Sequence, residues 1–241
     1  MTFSIAARCP RTGMLGVATS SKALAAGAAV PYCRAGVAAI ASQSFVNPYL
    51  GIDGLALIEQ GLAAERALER IIDGDRGRDL RQLAIVDKDG RTVAYTGSKC
   101  IPWAGSVDGA GYVCLGNILA GEQVVQAMAD AFERSVSDDL PERLMAALEA
   151  GQDAGGDRRG RQSAALHVVA IQEYPLVDLR VDDHPDPVPE LRRVFEVFKR
   201  EEEPFLELMP TREDSTPGWE LVLKLAEDVE NALAEPAVKE S

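Results

Sequence analysis

The chain has 241 residues, of which 46% are hydrophobic and 26% charged, and this length is enough to bury a sizeable core. Its formal net charge of −13 argues against a nucleic-acid partner or an anionic membrane surface, because both attract basic faces. The sequence has no apolar run that approaches the roughly 20 residues a membrane-spanning helix needs.

The cysteines and the N-terminal segment indicate a compartment. Four widely spaced cysteines without CxxC spacing are typical of reduced thiols. Arg8 and Arg11 interrupt the apolar residues before the core of a secretion signal could form. We therefore expect a cytoplasmic protein. With two histidines and no paired-ligand spacing, we expect neither a metal nor another cofactor.

The first third of the chain predicts strands followed by a helix. Residues 2–7 and 14–19 are rich in small and β-branched residues and flank a turn at 9–13, which predicts a hairpin. A further buried strand is expected over 37–44. Apolar residues at helical spacing predict one helix over 53–72.

The middle of the chain alternates groups of strands and helices. An Asp-Gly turn at 89–90 predicts a second hairpin, followed by a glycine-rich connector. The further predicted elements are strands at 81–87, 91–95, 112–115, 163–171 and 177–181, and helices at 121–134 and 141–150. This order predicts an α+β sandwich with helices packed outside antiparallel sheets. A doubly wound fold is not expected, because strict βαβ alternation is missing.

Composition changes after residue 181. A polar, proline-rich break at 182–187 precedes two predicted helices, the second over 218–234. We therefore expect a domain over 1–185 and a helical C-terminal appendage over 186–241. The appendage, which is acidic and partly apolar, is expected to pack on the core or on a second copy of the chain in a homo-oligomer.

Thr2 directly follows Met1. Aminopeptidases remove an initiator Met that precedes a small residue, which would leave a hydroxyl and a free α-amine together on Thr2. An α-amine with a pKa of about 8 can accept the hydroxyl proton, so this pair is a nucleophile with its own base. The alternative is that the small residue at this position reflects only processing of the start codon.

Seven short motifs occur in order between residues 2 and 185. They are TFSI (2–5), ATSSK (18–22), SQSFVNPY (42–49), CIPWAG (100–105), GNILAG (116–121), the run 155–164 and DLRVDDHP (178–185). On these motifs the chain resembles the DUF1028 family, which is assigned to the N-terminal nucleophile (Ntn) hydrolases, the superfamily of the proteasome β-subunits. The resemblance implies a four-layer αββα sandwich of antiparallel sheets.

The resemblance also implies an activity. The implied activity is that of an N-terminal threonine amidohydrolase, which would cleave a small-molecule amide or a peptide-like bond through an acyl-enzyme on Thr2. The alternative is a protein of the same fold without catalysis, either a structural, oligomer-forming subunit or a ligand-binding protein.

Two further residues are candidates for catalysis. Lys22 follows the second strand, and a lysine there could keep the Thr2 amine neutral and stabilise developing negative charge. Its alternative is a solvated surface lysine. Asn117, with Gly116, lies at a strand end before a helix and could donate to the oxyanion that the superfamily's chemistry forms. Its alternative is an ordinary turn residue.

The remaining candidates are expected to bind substrate. Ser20 and Ser21 could hydrogen-bond the amine or the substrate. Gln43 and Asn47 flank a strand end where they could line a pocket, but Asn47 with Pro48 is also an ordinary start of a turn. The loop 156–163 is a dense basic cluster in an acidic chain, and its arginines could bind a substrate carboxylate. Its candidate residues are Arg158, Arg159, Gln162 and Ser163. The alternative for this loop is a set of salt bridges.

Overall fold

The computed structural model describes residues 2–234. The chain divides into two compact units, Met1–Phe195 and Glu196–Ser241. None of the helices in the part of the chain that the structure describes is long and apolar enough to cross a membrane.

The larger sheet of the first unit has six strands in the order β10-β9-β2-β1-β8-β7, and neighbouring strands are antiparallel. Its strands are β1 (Thr2–Arg8), β2 (Leu15–Ser21), β7 (Ala104–Gly109), β8 (Tyr112–Asn117), β9 (Ser163–Val169) and β10 (Val177–Val181). Strand β1 is therefore an interior strand, hydrogen-bonded to β2 on one side and to β8 on the other.

The smaller sheet has four antiparallel strands in the order β3-β4-β5-β6. They are β3 (Pro31–Arg34), β4 (Ala38–Ser44), β5 (Arg81–Asp87) and β6 (Thr92–Thr96). The two sheets pack face to face through a buried cluster that includes Val17 and Leu115 from the larger sheet and Ala41 and Val86 from the smaller one. Each strand alternates its side chains, so its other face is left for helices.

Helix pairs cover those outer faces. Helices α1 (Pro48–Glu59) and α2 (Ala64–Gly74) pack on the four-stranded sheet through a second apolar cluster. Helices α3 (Gln123–Arg134) and α4 (Leu140–Asp153) pack on the six-stranded sheet. Gly16 of β2 admits Leu144 of α4, since a Cβ at that position would lie 2.7 Å from the leucine Cδ1.

Helix α5 (Pro187–Glu201) begins in the first unit, where Arg192 pairs with Glu142 at 2.6 Å and Glu149 at 2.7 Å on α4. The second unit contains the end of α5, a short 3₁₀ segment at Glu203–Leu208 and helix α6 (Trp219–Ala234).

The α+β class and the antiparallel sheets expected from the sequence are confirmed. The prediction of one helix over 53–72 is wrong, because α1 ends at Glu59 and α2 begins at Ala64. Between them Gly61 has a φ of +97° and Ala63 is extended, so the chain leaves the helical conformation there. Strands β3 and β7 were not predicted. They lie in segments whose glycine and alanine content suggested loops.

Candidate active site

A row of polar side chains crosses one end of the six-stranded sheet. Thr2, the first residue of β1, pairs with Ser21 at the end of β2 and with Asn117 at the end of β8. Ser21 in turn pairs with Ser163, the first residue of β9. Each of these four residues is at most 4% exposed. The row is continued one pair further into the sheet by Ser4, which is also buried and lies within hydrogen-bonding distance of Thr19 at 2.8 Å and of Gln43 at 2.6 Å.

The Thr2 hydroxyl is held within this row. Its Oγ1 lies 3.1 Å from the Oγ of Ser21, within hydrogen-bonding distance. The backbone carbonyl of Thr2 accepts a hydrogen bond of 3.2 Å from the Nε2 of Gln43, which reaches across from the smaller sheet. The side chain and the carbonyl of Thr2 are thus both fixed by neighbours.

Gln82 of β5 joins the smaller sheet to this row. Its Oε1 accepts from Gln43 Nε2 and from Asn117 Nδ2, each at 2.9 Å. Its Nε2 donates to the carbonyl of Gly116 at 2.7 Å. Gln82 has no exposed surface, and sequence analysis missed it. In the sequence, Gln82 could have been recognised as a polar amide directly before the apolar strand residues Leu83 to Val86.

Lys22 lies directly after the residue that pairs with Thr2. Its Nζ is 3.5 Å from the Oε1 of Gln162, and its backbone N–H donates to Asp157 Oδ2 at 3.0 Å. The Gln162 side chain also donates to Asp183 at 3.2 Å. Lys22 and Gln162 are therefore neighbours at this end of the sheet.

Asp157 organises the basic loop, although sequence analysis did not select it as a site residue. Its side chain is only 2% exposed and accepts from Arg159 Nη2 at 3.0 Å and from Arg159 Nε at 3.3 Å. Arg158 points elsewhere, since its Nη2 donates to the carbonyl of Pro102 at 2.7 Å. The two adjacent arginines thus have different partners.

Three of the predicted binding residues have side-chain contacts other than the Thr2 hydroxyl. Ser20 pairs with Phe3, and alternation along the strand turns both side chains toward helix α4 rather than toward Thr2. Ser163 donates to the carbonyl of Ala23 at 2.7 Å and so holds the segment after β2. Asn47 caps α1, where its Oδ1 accepts from the backbone N–H of Tyr49 at 3.2 Å, and it lines a separate cavity of about 530 Å³ beside α1 and α2.

A cavity of about 260 Å³ lies at the same end of the fold. Asn117 lines it together with two cationic side chains, Lys99 and Arg159. Its apolar walls come from Phe45, Leu80, Ile101 and Ile118. We refer to this cavity as the Asn117 pocket.

The cysteines are free thiols, and Cys9, Cys100 and Cys114 are buried. Burial raises the pKa of the Cys114 thiol well above its usual value. Burial and the nearby Asp178 carboxylate likewise raise the pKa of Cys33. At Cys9, burial opposes ionisation, but hydrogen bonds from Thr12 and Arg11 lower the pKa overall. Within residues 2–234, no three histidine, cysteine or acidic side chains converge to hold a metal ion.

Comparisons with known proteins identify relatives of this chain. It matches a crystal structure of a Silicibacter pomeroyi protein of family DUF1028 with 33% identity and a TM-score of 0.82, covering 89% of this chain and 97% of that one. Anbu (ancestral beta-subunit) from Yersinia bercovieri is 12% identical with a TM-score of 0.39, over 87% of this chain and 98% of that one. Anbu from Hyphomicrobium sp. strain MC1 is 11% identical with a TM-score of 0.39, over 87% and 100%.

The two Anbu likenesses have TM-scores too low to support an argument about this chain. No curated protein matches the sequence. The model of DUF1028, described as a family of unknown function, matches residues 2–191. Together with the 33% identity to the Silicibacter pomeroyi protein, this match shows that the chain belongs to the DUF1028 family.

Proposed function

We propose that this chain is an N-terminal threonine amidohydrolase that cleaves a small amide or peptide-like bond. The observation that carries the proposal is the position of Thr2. It begins an interior strand, and its hydroxyl is buried beside Ser21 and next to Asn117 in the sheet. Two facing sheets with helix pairs outside them support assignment to the four-layer αββα sandwich of the Ntn hydrolases.

The proposed reaction has two steps and requires that Met1 be removed. In the first, the Thr2 Oγ1 attacks the amide carbonyl carbon while the α-amine takes the hydroxyl proton and passes it to the departing amine. In the second, the α-amine takes a proton from water, which hydrolyses the ester on Thr2. The products are a carboxylic acid and an amine, and the threonine is regenerated.

Asn117 and Lys22 have supporting roles in this proposal. The backbone N–H groups of Ile118 and Leu119 already donate to the carbonyls of Ile101 and Trp103. The Asn117 amide, which has two N–H donors and is oriented by Gln82, is therefore the proposed oxyanion donor. The ammonium of Lys22 would favour the neutral form of the Thr2 amine, because a nearby like charge disfavours protonation.

A non-catalytic protein of the same fold is the second candidate. The hydrogen bonds around Thr2 favour it, because Gln43, Gln82 and Asn117 tie the two sheets together as a purely structural network would. Such a protein would keep Thr2 for its hydroxyl hydrogen bond to Ser21 alone.

Mass spectrometry with an electrophilic β-lactone tests the proposal. We expect a mass that begins at Thr2 and one adduct on that residue. The adduct should form faster as pH rises through the amine pKa of about 7.7–8.0, because only the neutral amine is a base. Thr2→Ser should retain labelling. Thr2→Val keeps the side-chain shape without the hydroxyl and should abolish it.

Equal labelling of the wild-type protein and Thr2→Val would contradict the proposal, since the reactive group would then lie elsewhere. A chain that retains Met1 and takes no adduct would favour the structural candidate. Ser21→Ala is the matched control, because it removes the hydroxyl that neighbours Thr2 and leaves the Thr2 hydroxyl in place. It should remain labelled, because it removes a partner of the nucleophile and not the nucleophile.

A further inference from the structure

The Asn117 pocket adjoins the proposed nucleophile through the sheet. Asn117 both lines the pocket and pairs with Thr2 across β8 and β1. Its volume of about 260 Å³ lies below the roughly 300–1,000 Å³ of pockets for drug-sized ligands. A small metabolite therefore suits this pocket better than a peptide segment.

The charged side chains that line the pocket are both positive, although the chain as a whole has a net charge of −13. Lys99 and Arg159 line it, and among its described lining residues none is acidic. A cleft whose walls have one sign of charge concentrates ligands of the opposite sign. The pocket thus favours an anionic ligand, although the molecule as a whole repels one.

Arg159 is positioned by a buried carboxylate. Asp157, 2% exposed, contacts both the Nε and the Nη2 of Arg159 and also accepts from the Lys22 backbone. A guanidinium has five N–H donors in a fixed plane, so one arginine can contact a protein carboxylate and a ligand carboxylate together. Lys99 pairs with Asp79 at 3.3 Å on the exposed side.

The geometry points to a substrate class, and this inference rests on the proposed function. We propose that the substrates are small amides that have a carboxylate a few carbons from the scissile bond. Arg159 and Lys99 would bind the carboxylate, and Phe45, Leu80, Ile101 and Ile118 would contact the aliphatic chain. The amide carbonyl would then lie at the Asn117 end, next to Thr2.

Binding can be tested without turnover in the Thr2→Ala protein. The probes are the dicarboxylates from malonate to adipate, each compared with its uncharged diamide by calorimetry and thermal shift. We expect at least one dicarboxylate to bind more tightly than its diamide. Arg159→Gln should weaken that binding about 10- to 100-fold, the usual loss for a hydrogen-bonded charge. Lys99→Gln should cause a smaller loss.

Matched variants separate the pocket from general charge. Arg161→Gln removes a cation from the same loop, where Arg161 pairs with Asp186 and does not line the pocket, so binding should be unchanged. Lys88→Gln is the corresponding control for Lys99, because Lys88 also forms an exposed ion pair. Dicarboxylates that bind no better than diamides, or equal losses in Arg159→Gln and Arg161→Gln, would overturn the proposal.

Turnover of the monoamides of the same dicarboxylic acids separates this inference from the proposed function. Ammonia release from the anionic monoamides, but not from the neutral diamides, would support both. Carboxylate binding that depends on Arg159, without any hydrolysis or labelling of Thr2, would leave the pocket assignment standing and contradict the hydrolase. Equal hydrolysis of neutral and anionic amides would support the hydrolase and overturn the carboxylate site.

Discussion

Gln82 is a central hydrogen-bonding residue of the candidate site. Its side-chain Oε1 accepts hydrogen bonds from Gln43 and Asn117, and its Nε2 donates to the Gly116 carbonyl. A buried donor that loses its partner retains the full cost of its desolvation, about 1–3 kcal/mol. The amide of this one residue therefore sets both the stability of the sheet pairing and the orientation of Asn117.

We predict that Gln82→Leu lowers the free energy of unfolding by about 3 kcal/mol, because one buried N–H of Gln43 and one of Asn117 lose their acceptor, while Gln43 keeps its bond to the Thr2 carbonyl. Urea unfolding followed by circular dichroism measures this. Gln126→Leu on the exposed face of α3 is the control and should change stability by less than about 0.5 kcal/mol. Equal stability of both variants would show that Gln82 is not a structural link.

The elements show what a sequence can and cannot predict. The β1–β2 hairpin followed from two apolar strands around a turn, and its register places Ser21 opposite Thr2. The partners Gln43 and Gln82 come from the other sheet and are distant in sequence, so local periodicity has no information on them. The break between α1 and α2 was missed because Leu55, Ile58 and Leu68 keep one buried face through it.

Two glycines at that helix pair give opposite predictions. Gly61→Ala should destabilise the protein by about 1 kcal/mol, because its φ of +97° strains any residue with a Cβ. Gly74→Ala should stabilise it by about 0.5–1 kcal/mol, since Gly74 is helical and a Cβ there meets nothing within 4 Å. Thermal unfolding of both variants measures the difference. A shift of the same sign in both would contradict the backbone assignment.

At the scale of the whole molecule, His167 links stability to pH. It pairs with Asp178 across β9 and β10, and Cys33 lies against its backbone carbonyl. Burial lowers the pKa of His167 below its ordinary 6.5, Asp178 opposes this, and Arg180 adds to it. At a pH between the lowered pKa of His167 in the folded protein and its ordinary pKa in the unfolded chain, the unfolded chain therefore binds more protons. Folding stability must then fall as pH drops below about 6.5.

We predict that lowering the pH from 7.5 to 5.5 reduces the melting temperature of His167→Gln by less than it reduces that of the wild-type protein. The comparison isolates this residue from the carboxylates, which titrate in both proteins. His184→Gln changes the other histidine of the chain and is the matched variant. Parallel melting curves for His167→Gln and the wild type would refute the assignment.

The sequence also predicts a homo-oligomer and a cytoplasmic protein, and both remain predictions. Size-exclusion chromatography with light scattering tests the first. Deleting residues 196–241, which form a unit of their own, tests whether that unit supports assembly. A monomer in the full-length protein would contradict the oligomer prediction.

The interior position of β1 has a practical consequence for expression. From Thr2 onward the chain is paired on both sides, to Ser21 and to Asn117. Thr2 itself is only 4% exposed, and the proposed reaction needs its α-amine free at the start of β1. An affinity tag fused there would obstruct the proposed nucleophile and prevent exposure of its amine, so a C-terminal tag suits every assay proposed above.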